Sequence, residues 1–159
     1  MPKPELLQNV KLLQKAIIID QGGKILALKR SKDSFSRSKK WDLPGGNLDK
    51  IDILESHSLS GKGDQSDILI KSIAREIFEE TGIKLDLKAV KPILNASGYN
   101  PDKDMFVIAL VYICNLSSNE PKIQLSNEHS EYQCLLKSDF LKLDVGDDGG
   151  LIANAVEKI

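Results

Sequence analysis

Only two cysteines, Cys114 and Cys134, and two histidines occur in 159 residues. No CxxC or HExxH pattern is present, so neither a disulfide framework nor a zinc site is expected, and both cysteines read as single apolar residues of strands. No apolar run approaches the ~20 residues of a membrane span, and the start lacks a signal-peptide pattern, so a cytoplasmic protein is expected. An excess of one charge is missing too. Twenty-two basic residues stand against 23 acidic ones, a net charge of −1, which provides no general field for a polynucleotide. No internal repeat or second boundary divides the chain, and residues 1–159 suit one domain around one core. What is present is an ordinary globular composition, 41% hydrophobic and 28% charged.

Within it, Ile68 to Thr81 contains neither Gly nor Pro. Ile70, Ile73, Ala74 and Ile77 follow the i, i+3, i+4, i+7 spacing of a buried helical stripe. Ser66 or Asp67 is suited to cap the start, and Gly82 to end the helix at positive φ. Glu76, Glu79 and Glu80 fall at i, i+3 and i+4, so three carboxylates share another face of the same helix. Like charges at that spacing repel, and a hard divalent cation would relieve them. A merely solvated acidic face is the alternative.

Upstream stands Trp41-Asp42-Leu43-Pro44-Gly45-Gly46, and the helix continues as Arg75-Glu76-Ile77-Phe78-Glu79-Glu80-Thr81-Gly82-Ile83. Together these resemble the signature of the Nudix (MutT-like) hydrolases, G-x5-E-x7-R-E-U-x-E-E-x-G-U, where U is a bulky aliphatic residue. The second half fits without a mismatch. Counting back across seven residues from Arg75 reaches Asp67, where the family carries Glu, and Gly61 then matches the glycine formally. The Pro-Gly-Gly run is more similar to the family's passage from strand to loop. Gly46 is therefore read as the signature glycine, and about 50–65 as a polar loop insertion that could be shortened without loss of the fold.

The rest of the chain reads as strands around this motif. Ala16–Ile19 and Lys24–Arg30 flank a turn at Gln21-Gly22-Gly23, followed by a polar loop, Ser31–Lys40. Leu87–Leu94, Met105–Leu116 and Glu131–Leu136 are further strands, the second suited to a central position. Ser138 caps a short helix, and Gly149-Gly150 precedes a last one over Leu151–Lys158. This order predicts an α/β protein with a mixed β-sheet between helical layers. The resemblance implies the same: an α/β/α sandwich with a loop–helix–loop catalytic motif.

The resemblance also implies a chemistry: Mg²⁺-dependent hydrolysis of a nucleoside diphosphate linked to a moiety X, with Mn²⁺ as a substitute. Nucleoside triphosphates, ADP-ribose and dinucleoside polyphosphates are all within that class. By resemblance Glu79 and Glu80 are metal ligands, Glu76 ligates or acts on the attacking water, and the Gly45 carbonyl contributes. Arg75 orients a signature carboxylate. Glu128, by its spacing to Cys134, stands where relatives carry a further ligand or general base, with Glu131 the competitor. Arg30, with Lys29 and Arg37, is a candidate for substrate phosphates. Tyr99, sixteen residues beyond Ile83, is similarly placed to a tyrosine of diadenosine polyphosphate hydrolases, and reads equally well as a turn residue beside Asn100-Pro101. Trp41 is either a base-stacking or a core residue, and His129 an exposed loop histidine. The expected partner is a small-molecule nucleotide derivative, with no polynucleotide and no membrane; a homodimer is left open. The opposing reading is a catalytically inactive Nudix-fold module that binds a nucleotide.

Overall fold

A computed structural model describes residues 9–55, 68–118, 121–146 and 150–159. The elements run β1 (Val10–Ile19), β2 (Ile25–Arg30), β3 (Trp41–Asp42), α1 (Lys50–Glu55), α2 (Ile68–Thr81), β4 (Lys91–Asn100), β5 (Met105–Asn115), β6 (His129–Leu135), α3 (Lys137–Phe140) and α4 (Leu151–Glu157). Five strands lie in the order β3-β2-β1-β5-β4, and β6 pairs with β2. β1 and β5 are parallel over their full overlap, while the other pairings are antiparallel. The sheet is therefore mixed, as expected.

Alternation along the strands divides the core in two. Ala16, Ile18, Leu26, Leu28, Tyr112 and Cys114 face α2 and pack on Ile73 and Ile77. Ile17, Ile25, Ala27, Trp41, Leu43 and Val111 face the other way, onto Phe140 of α3 and Ile152, Ala155 and Val156 of α4. Helices on both sides of one sheet make the α/β/α sandwich. Trp41 is thus a core residue, and both cysteines are free.

β2 meets β1 at Ile19↔Ile25 and then turns aside to pair along its length with β6. The gap beside β1 is filled by the glycine segment. Gln14 N–H donates to Gly46 O at 2.8 Å, Ala16 N–H to Pro44 O at 2.9 Å and Leu48 N–H to Leu12 O at 3.0 Å. This splaying of the sheet brings the Pro-Gly-Gly turn alongside the charged face of α2.

Several local expectations need correction. The stretch 50–65 is not loop throughout, because α1 occupies its start, with Asp52 Oδ2 accepting from Asp49 N–H at 2.8 Å in a capping-box arrangement. The expected caps of α2, Ser66 and Asp67, lie outside the described residues, as does the remainder of the insertion. Leu87–Ala89 is a 3₁₀ turn, and β4 begins later and runs on through Gly98-Tyr99-Asn100, paired with Met105–Val107. The long apolar β5 supplies a ladder that overrides the turn propensity of Gly98 and Asn100. Leu136, not Ser138, is the N-cap of α3, with no side-chain cap bond.

Ile77 is fully buried between α2 and the sheet. Ile77→Ala is expected to cost about 2–5 kcal/mol of unfolding free energy in a denaturant titration, from lost burial plus the cavity left behind.

Candidate active site

Two glycines set the geometry. Gly45 has φ +137°, and a Cβ there would lie 2.2 Å from Gln14 O, inside the β1 backbone. A Cβ on Gly46 would lie 2.3 Å from Glu76 Oε2. Absence of side chains lets the turn press against both β1 and α2. The closeness is used: Gly45 N–H donates to Glu80 Oε2 at 2.8 Å.

Glu80 is buried although charged residues are rarely so, and burial is the main cause that pushes its carboxyl up to about 8. Lys15 and the Gly45 N–H oppose that rise, while Glu76 and Asp42 add to it. Glu76 is shifted upward too, again chiefly by burial, with Arg75 pulling the other way. Glu79 is more exposed and accepts from Arg75 Nη1 at 2.9 Å.

Arg75 is the organiser of this face. Its Nε and Nη2 donate to Asp52 Oδ1 and Oδ2 at 2.7 and 3.0 Å, and Nη2 also to Glu76 Oε1 at 2.8 Å. The two-point fork onto Asp52 is the strong form of such a pair, and Ser72 Oγ adds a bond to Asp52 at 3.0 Å. Asp52 therefore occupies the place expected of Asp67. Five residues separate it from Gly46, which is the signature spacing G-x5-[acid] counted forward. The insertion lies between this acid and Arg75, and a forward count would have found Asp52.

The C-terminal end of α2 recruits the next wall. Gly82, at φ +73°, ends the helix by donating N–H to Phe78 O. Gln124 and Ser126 then donate their N–H groups to Thr81 O and Glu80 O at 2.8 and 3.1 Å. This docking delivers Glu128, exposed, to the rim and His129, buried, against Glu80. The exposed reading of His129 is thereby corrected. Burial is the chief cause that lowers its imidazole to about 4, with Lys15 and Arg30 adding to the effect. It is neutral at pH 7, so its Nε2 packing 3.8 Å from Glu80 Oε1 is not an ion pair.

A basic cluster accompanies the acids. Asp42 is fully buried, and its Oδ2 accepts from Lys15 Nζ at 2.8 Å, Arg37 Nη2 at 2.6 Å and Arg30 Nη1 at 3.4 Å. Burial alone would raise the Asp42 carboxyl, but Lys15, Arg37 and Arg30 outweigh it and hold the group below its ordinary value. One carboxylate among three cations leaves that cluster positive.

One cavity of about 760 Å³ is lined by both sets, by Lys11, Lys15, Arg30 and Arg37 and by Glu76, Glu80 and Glu128, together with Gly45 to Asp49. Of the residues expected from sequence, the structure brings Gly45, Glu76, Glu80, Glu128 and Arg30 to this cavity. Arg75 sits behind Glu76, and Glu79 is drawn onto Arg75 rather than into the lining. Tyr99 is not brought there. It pairs with Phe106, which pairs with Val10, and so projects from the sheet face opposite to Lys11 and Lys15; its hydroxyl donates to Asp104 Oδ1 at 2.6 Å. Lys15, Asp42 and Asp52 were not singled out from sequence as parts of the site.

Asp42→Asn would leave Lys15 buried and poorly paired, and is expected to cost about 3–5 kcal/mol. The Asp42 carboxyl has a lowered folded-state pKa. Its contribution is therefore full above the ordinary value of 3.8 and is lost as pH falls through the lower folded value. Guanidinium titrations should show the wild-type advantage at pH 7 and a narrower one in strong acid.

Comparison with known proteins agrees with this geometry. The family model for the NUDIX domain matches residues 14–154. A search of curated proteins finds no match. Among solved structures, the MutT protein of Methanosarcina mazei is 25% identical with a TM-score of 0.62, over 89% of this chain and 87% of that one. The NUDIX domain of Shewanella oneidensis NrtR, complexed with ADP ribose, is 20% identical with a TM-score of 0.64, over 99% and 92%. A C. elegans Ap4A hydrolase is 18% identical with a TM-score of 0.60, over 93% of each chain. With a family match across nearly all of its length, and a glycine turn, Glu76 and Glu80 gathered at one cavity, the chain belongs to the Nudix hydrolase family.

Proposed function

We propose that the chain hydrolyses the pyrophosphate linkage of a nucleoside diphosphate joined to a further group, with Mg²⁺ as the resident ion and Mn²⁺ as a substitute. The observation that carries this reading is the mixed lining of the cavity, in which the carboxylates of Glu76, Glu80 and Glu128 share one space with Lys11, Lys15, Arg30 and Arg37. A pyrophosphate needs both: positive charge for its outer oxygens and a metal site for the bond that breaks.

The donors suit a hard cation. The acidic side chains lining the cavity, Glu76, Glu80 and Glu128, and the glycine turn offer oxygen donors, and burial raises the carboxyls of Glu76 and Glu80, the first in spite of its ion pair with Arg75. Among the described residues no three acidic, Cys or His side chains are already clustered as ligands. That is compatible with Mg²⁺, which takes few protein ligands and completes its shell with water and phosphate oxygens. When bound, the ion would neutralise the bridge and lower the pKa of the attacking water. Glu80, Glu79 and the Gly45 carbonyl would hold it.

Glu76 would either join them or take the proton of the attacking water, a task its raised pKa favours. Arg75, anchored on Asp52, fixes where Glu76 points. Glu128 stands at the open rim as a further ligand or base. Arg30 and Arg37 would bind phosphate oxygens, and sharing Asp42 keeps both guanidinium groups oriented for that contact. Nucleotides as the substrate class are supported by the ADP ribose bound to the Shewanella domain and by the Ap4A hydrolase from C. elegans. One observation favours the inactive nucleotide-binding module instead: Glu79 is held by Arg75 outside the cavity lining.

A screen of nucleoside triphosphates, ADP-ribose and dinucleoside polyphosphates with Mg²⁺, following release of phosphorylated products, tests the reading directly. Glu80→Gln should lower the rate by about a hundredfold or more while the protein stays folded. Glu79→Gln should fall similarly; full activity would remove Glu79 from the ligand set without removing Glu80. Asp52→Asn should reduce kcat by roughly tenfold through loss of the Arg75 anchor, with KM little changed. Binding without turnover under any divalent metal would replace the hydrolase by the binding module.

A further inference from the structure

The described lining of the cavity holds charged, polar and aliphatic residues and two glycines of the turn but no aromatic ring, although a nucleobase is commonly held by stacking on one. The chain has four phenylalanines, three tyrosines and one tryptophan, and each can be placed. Trp41, Tyr112 and Phe140 are buried in the core. Tyr99 and Phe106 occupy register positions on the sheet face away from Lys11 and Lys15. Phe78 lies on the outside of α2 beneath Lys84, and Tyr132 lines a separate hollow with Asp20 and Lys24. Phe35 is left, and it is fully exposed, at 103%.

Its position is not that of a stray loop residue. Ser36 and Arg37, the next two residues, line the cavity. The backbone on both sides is held: Ser34 N–H donates to Ser31 O, Ser36 O accepts from Arg30 Nε at 2.9 Å, and Arg37 is tied to Asp42. Arg37 and Lys39 adopt positive φ, an uncommon conformation for such residues. A phenylalanine held in water by a pinned backbone forgoes the stabilisation that burial would give it. It stands two residues before Arg37, assigned above to phosphate, and a nucleotide presents phosphate, sugar and base in that order, outward from the metal.

We propose that Phe35 is the platform on which the nucleobase stacks at the mouth of the cavity, making the 31–40 loop the base-binding element of the site. The inference rests on the nucleotide reading above, and its test separates the two because it needs no turnover. Calorimetric titration with ADP and with inorganic pyrophosphate, each with Mg²⁺, reads base and phosphate contributions apart. Phe35→Ala should weaken ADP binding roughly tenfold relative to pyrophosphate, and Phe35→Tyr should restore it. In Phe35→Trp the added indole should be quenched by ADP and not by pyrophosphate, with wild-type Trp41 emission as the reference. An unchanged ADP affinity in Phe35→Ala, or equal losses for both ligands, would overturn the platform and leave the hydrolase reading intact. Failure of the wild-type protein to bind ADP would remove both.

Discussion

The carboxylate of Asp42 is the point at which the site's construction meets. Completely buried, it holds Lys15 of β1, Arg30 of β2 and Arg37 of the loop that follows, while its own residue ends β3. A buried charge costs several kcal/mol of desolvation unless partners satisfy it, and here three cations do. The arrangement adds specificity of position more than net stability. It fixes where β2 parts from β1 and how the loop returns. It also aims two guanidinium groups at the cavity that the parting opens.

In the same cavity Glu80 is in the opposite condition. Glu80 has one backbone N–H, a neutral His129 at its side and like charges nearby, so burial dominates and its proton is retained to about pH 8. The same helix face places Glu76 behind a glycine that leaves no room for any side chain. The basic residues outnumber the one carboxylate they share, whereas among the described residues Glu80 has a single backbone donor and Glu76 a single arginine. Neither set is at its most stable alone, and a phosphorylated ligand bridged by a cation would complete both, which is the local frustration expected where binding sites are built.

How far the sequence disclosed this differs from residue to residue, for physical reasons. The buried stripe through Ile73 and Ile77, the carboxylate row and the glycine turn are local patterns, readable because helical period and turn chemistry act over a few residues. The extension of β4 through Gly98 and Tyr99 is a tertiary effect of its pairing with β5, so local propensity pointed to a turn instead. His129 is buried because residues 124–126 dock on the carbonyls that end α2, a contact that no short-range pattern encodes. Asp52 was hidden by the direction of counting, since the distance from Gly46 is intact and the distance to Arg75 is not.

That interruption is tolerable on energetic grounds. Twenty-two residues separate Asp52 from Arg75 where the family pattern has seven, roughly a threefold lengthening, or a little over one and a half doublings. Each doubling adds only about 0.6 kcal/mol of closure entropy. The fork between Arg75 and Asp52 makes two charge-assisted hydrogen bonds, each worth about 1.5–3 kcal/mol when well desolvated and less at the partly exposed Arg75. Even discounted for solvent, the clasp outweighs the added length. The fork ties α1 to α2 through side chains, with Ser72 as a third point of attachment. Ile51 and Ile53 of α1 are half exposed, and Asp52 supplies hydrogen bonds to Ser72 and Arg75 of α2. Trimming all of 50–65 would therefore remove the anchor of Arg75, and only the part of the insertion beyond α1 is dispensable on this argument.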